Sequence, residues 1–235
     1  MANPKLFRTI DKAILQYTML EEGDKVLLAA SGGKDSTALA EYFSTRRKRK
    51  HPCFEIHALH IATDIGSEFA PALMKQFEEW DIGLTIKKIS VLQRLKQGKK
   101  MNCWWCSSQR RLELTQFAQV QGFNKIAFGH HLDDILETVL MNALFKGELA
   151  AMLPVLPFKQ FPVTIIRPLC LADIPMIMRH AEQQGYISST CTCRYQANSG
   201  RKQARTYLAR LTEGNYTLKR KLFDALHHIN YEYLP

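Results

Sequence analysis

The stretch Val26-Leu27-Leu28-Ala29-Ala30-Ser31-Gly32-Gly33-Lys34-Asp35-Ser36 decides how this chain is read. The apolar run VLLAA has the length and composition of a buried strand, and Leu39, Tyr42 and Phe43 then recur at helical spacing. Between the two lie adjacent glycines, which permit positive φ and close backbone approach. A helix beginning behind them turns unpaired N–H groups toward an anion. Ser31 and Ser36 add hydroxyls, and Lys34 adds a point charge. The loop is not the common mononucleotide motif G-x-x-x-x-G-K-[ST], because Asp35 follows Lys34 and Leu28 stands where the first glycine belongs; nor is it G-x-G-x-x-G. The plain alternative is a Gly-Gly turn from strand to helix with a serine cap.

Outward from this loop, strand-like and helical patterns alternate. Phe54 to Ile61 alternates as a second strand, Pro71 to Trp80 is helical, and Leu84 to Ile89 is a third strand. Leu114, Phe117 and Ala118 mark a helix ending near Gly122, and Lys125 to Phe128 is a fourth strand. Ile135, Val139, Leu140, Ala143 and Leu144 stripe the next helix, and Thr164 to Ile166 is a short fifth strand before Arg167-Pro168. The order predicts an α/β fold: a doubly wound, mostly parallel sheet with helices on both faces and ligands beyond the carboxyl ends of the strands. Residues 1–235 read as a single domain, with 185–235 a basic C-terminal appendage that carries the late cysteines.

Composition narrows the class. The chain has 235 residues, 46% apolar, with a formal charge of +10 and a pI near 9.4. That excludes intrinsic disorder and a collagen-like fibre. No apolar run approaches the roughly 18 residues of a membrane span, and the N-terminal residues lack the apolar core of a secretory signal. A membrane partner is therefore not expected, and the cytoplasm is. The six cysteines then read as reduced, metal-bound or catalytic thiols rather than a disulfide scaffold. The positive charge points to a polyanion without naming one.

A second loop, Gly129-His130-His131-Leu132-Asp133-Asp134, follows the fourth strand and opens a helix. Asp133 or Asp134 could cap that helix, and Asp134 with Glu137 has capping-box spacing. His130 and His131 either contact a ligand or pack, with packing the stronger reading for His131. Four cysteines form Cys103-x-x-Cys106 and Cys191-x-Cys193; Cys53 and Cys170 read as small buried hydrophobes. The four thiols suit a structural zinc or an iron–sulfur cluster, and the C-x-x-C alone would suit a redox pair.

The segment Ser31 to Ser36 resembles the pyrophosphate-binding loop of the PP-loop ATP pyrophosphatases, which cleave ATP between the α and β phosphates and transfer AMP to an acceptor oxygen. GHHLDDILET resembles the second signature of the tRNA-modifying members. The order SGGKDS, C-x-x-C, GHHxDD, late cysteine is similar to the tRNA 2-thiocytidine synthetase (TtcA) family from about Gly23 to Arg205. Further similar pieces are Cys106-Ser107-Ser108-Gln109-Arg110-Arg111, Arg167-Pro168-Leu169 and Cys193-Arg194-Tyr195-Gln196.

That resemblance implies that Ser31, Gly32, Gly33, Lys34, Asp35, Ser36, Gly129 and Asp134 bind ATP. Lys34, Asp35 and Asp134 are the catalytic set, the two carboxylates lying near Mg²⁺. It implies a [4Fe–4S] cluster on Cys103, Cys106 and Cys191, with Cys193 the alternative third ligand because the late motif is one residue short. It implies tRNA as substrate, a sulfur donor such as a cysteine desulfurase, and a homodimer. Of the basic runs Arg46 to Lys50, Lys96 to Lys100, Arg194 to Arg205 and Lys219 to Lys221, the second and third flank the implied cluster ligands, where a polyanionic substrate would arrive; a lone run is otherwise a solvated face, and Trp104, Trp105 and Tyr195 either stack on a base or shield the cluster. The expected activity is ATP-dependent thiolation of a cytidine. The alternatives are a PP-loop adenylase acting on another tRNA base, and a zinc-bearing, nucleotide-gated RNA-binding module without turnover.

Overall fold

The computed structural model describes residues 4–66, 68–158, 160–186 and 200–233. Six strands form one sheet: β1 (Asp24–Ala29), β2 (Phe54–Thr63), β3 (Gly83–Ile89), β4 (Lys125–Ala127), β5 (Val155–Pro157) and β6 (Thr164–Ile166), in the order β3-β2-β1-β4-β6-β5. Every pairing is parallel except that of β5 with β6. Val26, Leu27 and Leu28 are fully buried, as a central strand covered on both faces requires. Their side chains divide between two cores. Val26 and Leu28 join the larger one, and Leu27 joins the smaller one beneath the helix that carries the C-x-x-C.

The helices are α1 (Lys5–Gln16), α2 (Lys34–Arg47), α3 (Pro71–Glu79), α4 (Cys103–Gln121), α5 (Leu132–Lys146), α6 (Ile174–Gln184), α7 (Gly200–Thr212) and α8 (Tyr216–Ala225). The five expected strands are present to within two residues at each end. The antiparallel β5 is an addition, and at three residues it is too short for alternation to mark it. The expected capping box at the start of α5 is displaced by one turn. His131 is the cap, its ring accepting from the Asp134 amide while the Asp134 carboxylate accepts from the His131 amide. Asp134 already lies inside the helix and so reaches back rather than forward. Cys170 is buried, and burial pushes its thiol up to about 12. Cys53, by contrast, is exposed at the entrance to β2, where its amide donates to Glu22.

α7 and α8 are fastened to α5 by ion pairs as well as by Leu208 and Phe223 in the larger core. Glu137 is fully buried and takes the Arg205 Nε at 2.7 Å and the Arg201 Nε at 3.6 Å. Lys219 is buried and reaches Asp133 at 2.7 Å and Asp173 at 3.6 Å. Asp133 also accepts from the Ile174 amide, and Asp173 caps α6. One ammonium thus joins α8, α5 and α6. Removing one member of such a group leaves buried charge without compensation, at a cost of about 3–5 kcal/mol. Lys219→Met should lower the unfolding free energy obtained from urea titration by an amount in that range, whereas Lys221→Met, at an exposed neighbour, should leave it unchanged.

Candidate functional site

The strand order reverses between β1 and β4, and both signature loops leave the sheet there, from neighbouring carboxyl ends. After β1, Gly32 adopts φ +82°. The N-cap of α2 is Gly33, which has no side chain with which to cap. The Gly33 amide lies 3.3 Å from Ser31 Oγ, Ser31 Oγ lies 3.0 Å from Ser36 Oγ, and Ser36 and Thr37 both donate to the Gly33 carbonyl. Among the described residues nothing accepts from the amides of Lys34, Asp35 or Ser36. These are the open donors of the loop. Lys34 Nζ lies 2.9 and 3.1 Å from the Asp35 carboxylate, so its charge is held on its own helix.

The second loop presses on the first. A Cβ placed on Gly129 would sit 3.2 Å from the Ser36 amide nitrogen and 3.3 Å from both the carbonyl carbon and Cβ of Asp35. A residue without a side chain makes that approach without displacing its neighbours. Asp134 is largely buried. Burial alone would raise its pKa, but the His131 and His130 rings, Arg201 (3.9 Å) and the His131 amide together hold it below the usual carboxylate range. His130 stacks on Phe128 and accepts from Arg167 Nε at 3.3 Å. Burial, with the Arg167 charge, pushes its pKa down to about 4. The ring is therefore neutral at pH 7, with its proton on Nε2. Arg167 is itself fixed by the Leu153 carbonyl.

The C-x-x-C lies on the first turn of α4, capped by Asn102, whose side chain accepts from the Trp105 amide at 2.9 Å. α4 begins after β3, so its N-terminus lies at the same edge of the sheet as the two loops. A helix N-terminus favours thiolate over thiol. Cys103 is exposed and Cys106 nearly buried. Three residues apart, they share one face of the helix. Two residues that sequence reading passed over hold this turn in place. The Trp105 indole donates to the Val91 carbonyl at 3.1 Å, and the Val91 amide donates to Asp64 at 2.9 Å. Asp64 also takes Leu92 N and the Ser90 hydroxyl. The sequence signal for this was an Asp just past a strand in an α/β pattern, where polar residues serve sites. Cys191 and Cys193 lie outside the described residues, as do Arg194 and Tyr195. Among the described residues no three metal-ligating side chains converge, so a metal at Cys103 and Cys106 would need a ligand from elsewhere.

The basic runs divide. Arg46 and Arg49 reach Asp11, Arg47 reaches Asp81, Arg201 and Arg205 reach Glu137, and Lys219 is buried. These cations are engaged by carboxylates of the fold itself. No helix among the described residues is long and apolar enough to cross a membrane.

Residues 4–203 match the PP-loop domain family. A tRNA-cytidine(32) 2-sulfurtransferase of Anaeromyxobacter sp. (strain K) is 33% identical over 231 residues, which are 96% of this chain and 79% of that protein. One of Geotalea uraniireducens (strain Rf4) is 31% identical over 230 residues, covering 96% and 91%. Among solved structures, the U34-tRNA thiolase NcsA from Methanococcus maripaludis with its [4Fe-4S] cluster superposes with a TM-score of 0.73 at 24% identity, over 96% of this chain and 79% of that one. An NH3-dependent NAD synthetase from Campylobacter jejuni gives 0.51 at 14% identity, over 97% and 88%. Both likenesses are of fold.

Gly129→Ala should part the two loops by a few tenths of an ångström. It should weaken binding of a non-hydrolysable ATP analogue by about ten-fold, the low end of an overpacking cost, with a smaller effect on melting. A histidine whose pKa falls on folding binds its proton more readily in the unfolded chain, so stability is lost as pH drops from about 6.5 to about 4. Urea midpoints of wild type should therefore fall steeply across that window, and His130→Gln should flatten the decline.

Proposed function

The chain belongs to the PP-loop domain family and, within it, to the tRNA-cytidine 2-sulfurtransferases, and from that membership we propose that it uses ATP to replace the C2 oxygen of a tRNA cytidine with sulfur, at the position 32 that its relatives are named for. The observation that carries this reading is the seat formed by the uncapped start of α2 against Gly129, with three open amides and Lys34 on one side and Asp134 on the other.

The C2 oxygen is a poor leaving group. Its attack on the α-phosphorus forms the O2–Pα bond and breaks the bond from Pα to the oxygen bridging the β-phosphate, and pyrophosphate departs carrying the electron pair. The preset amides at the start of α2 and the Lys34 ammonium stabilise that charge. Lys34 exchanges its Asp35 partner for phosphate. Ser31 and Ser36, already bonded to one another, fix the loop that presents those donors. Asp35 and Asp134 are the carboxylates that would hold Mg²⁺, which would offset phosphate charge that a bare carboxylate would repel. Asp134 can serve and still cap α5, because one oxygen takes the His131 amide and the other faces Arg201.

Cys103 and Cys106 fit two of the three thiolate ligands of a [4Fe–4S] cluster: they share a helix face, lie at an N-terminus that favours thiolates, and differ in exposure. Cys191 is the third ligand in this reading and Cys193 its alternative. Once bound, the cluster would offer an iron without a protein ligand as the carrier of sulfur. The role of this chain is to hold the thiolates at the sheet edge where C2 is activated, and to exclude water from the adenylate until AMP leaves. A desulfurase-type donor, a homodimer and a cytoplasmic site complete the reading.

Two variants separate the halves of the reaction. Lys34→Ala should abolish tRNA-dependent pyrophosphate release while retaining iron after anaerobic reconstitution. Cys103→Ala should lose iron and thiolation but still release pyrophosphate. Loss of the same step in both would sink the division of labour. Nucleoside mass spectrometry of tRNA from a deletion strain should show 2-thiocytidine missing and the thiouridines unchanged.

A further inference from the structure

The net charge of this protein is concentrated in one segment. Of its 32 Lys and Arg residues, eight lie between Ile82 and Leu112, and none of its 22 Asp and Glu residues do. That stretch carries +8 of the +10, and the rest of the chain is close to neutral, with 24 basic against 22 acidic residues. It covers β3, the loop 90–102 and the first half of α4 with both cysteines.

Two of the eight cations share one carboxylate. Lys87 and Arg94 both sit 2.6 Å from the buried carboxylate of Glu113. Together with the three bonds to Asp64, that clamp pins the start of the loop. Beyond it the chain turns at Lys96-Gln97-Gly98-Lys99, where the Lys99 amide donates to the Lys96 carbonyl at 3.0 Å and Gly98 adopts φ +79°. Lys96, Lys99 and Lys100 are exposed, and no carboxylate among the described residues pairs with any of them. Three residues after Lys100 comes the exposed Cys103, and beside it Trp104, 70% exposed. The indole of Trp105 is occupied by Val91, so the two tryptophans have different roles.

We propose that the turn Lys96–Lys100, with the Trp104 ring, is the surface on which the RNA backbone and an unstacked base are received, and that the ion-paired Arg46, Arg47, Arg49, Arg201, Arg205 and Lys219 are not. The inference rests on the tRNA reading above and adds to it the face of entry. Uncompensated cations on a pinned turn bind phosphates with little loss of internal pairing, and a tryptophan open to solvent offers a stacking plane to a base of any identity. An acidic protein would use the lysines but has no need of the ring. The surface also borders the first turn of α4, where Cys103 stands.

The test uses the full chain and a tRNA transcript, with affinity measured across a salt series. Lys96→Gln, Lys99→Gln and Lys100→Gln combined should flatten the log–log salt dependence by about 2 to 3 and weaken binding at least ten-fold near 0.1 M salt. Trp104→Ala should weaken binding by about ten-fold and Trp104→Phe should restore most of it. The control Lys48→Gln with Lys50→Gln should match wild type, and ATP-analogue affinity without RNA should be unchanged throughout. An unaltered salt slope in the triple variant, or a loss in the Lys48/Lys50 control instead, overturns the assignment. So does a triple variant that binds tRNA normally but no longer accepts sulfur from a persulfide donor protein, since the face would then serve that protein. A wild-type chain that turns over ATP yet binds no tRNA refutes the tRNA reading itself.

Discussion

The backbone at Gly129 lies so close to the backbone of Asp35 and Ser36 that a methyl group there would press them apart by a few tenths of an ångström. The rest of the site depends on that approach. β1 and β4 are neighbours in the sheet but 95 residues separate the ends of the two strands along the chain's course through β2, β3 and α4, roughly Ala29 to Asn124. Parallel pairing puts both carboxyl ends at one edge, and the change of winding direction there keeps helices from closing over it. What turns a crevice into a seat is that the second loop can descend onto the first. A side chain at 129 would hold the acid of α5 away from the amides of α2, whatever the residues on either side.

Charge has two distinct uses in this molecule. Arg46, Arg49, Arg201, Arg205 and Lys219 each meet a carboxylate, and several of those carboxylates are buried. Their contribution is to bring α1 to α2 and α7 and α8 to α5. Because Asp133, Asp134 and Glu137 occupy the first two turns of α5, the C-terminal helices are joined to the same element that carries Asp134, the carboxylate proposed for Mg²⁺. The segment with the late cysteines ends where α7 begins, at Gly200. Glu137 therefore fixes the position from which that segment departs.

Much of this was legible in the sequence because the decisive signals are local. VLLAA followed by SGGKDS needs no partner to be understood, and neither does KIAF followed by GHHLDD. The α4 cysteines were visible, but their place on the first turn was not, since the apolar markers Leu114, Phe117 and Ala118 lie in its second half. α1 has its buried stripe at Leu6, Phe7, Ile10, Ala13 and Ile14, yet Pro4 supplies no cap to announce it. His131 escaped notice as a cap because imidazole is an uncommon one. The ion pairs could not be read at all: Asp11 lies 38 residues from Arg49, and Glu137 lies 68 from Arg205. A run of basic residues looks the same in sequence whether it faces solvent or a carboxylate from another helix.

One feature of α2 reaches beyond catalysis. Most helices in this chain with a resolved start are capped by their own side chains, as α4, α5, α6 and α8 are by Asn102, His131, Asp173 and Asn215. α2 begins at a glycine and leaves its first amides to whatever anion arrives. A nucleotide seated there completes the secondary structure of the central helix. The folding free energy then contains a ligand term that grows with the logarithm of nucleotide concentration. Nucleotide bound at α2 thus adds to the stability of the fold as well as to its chemistry.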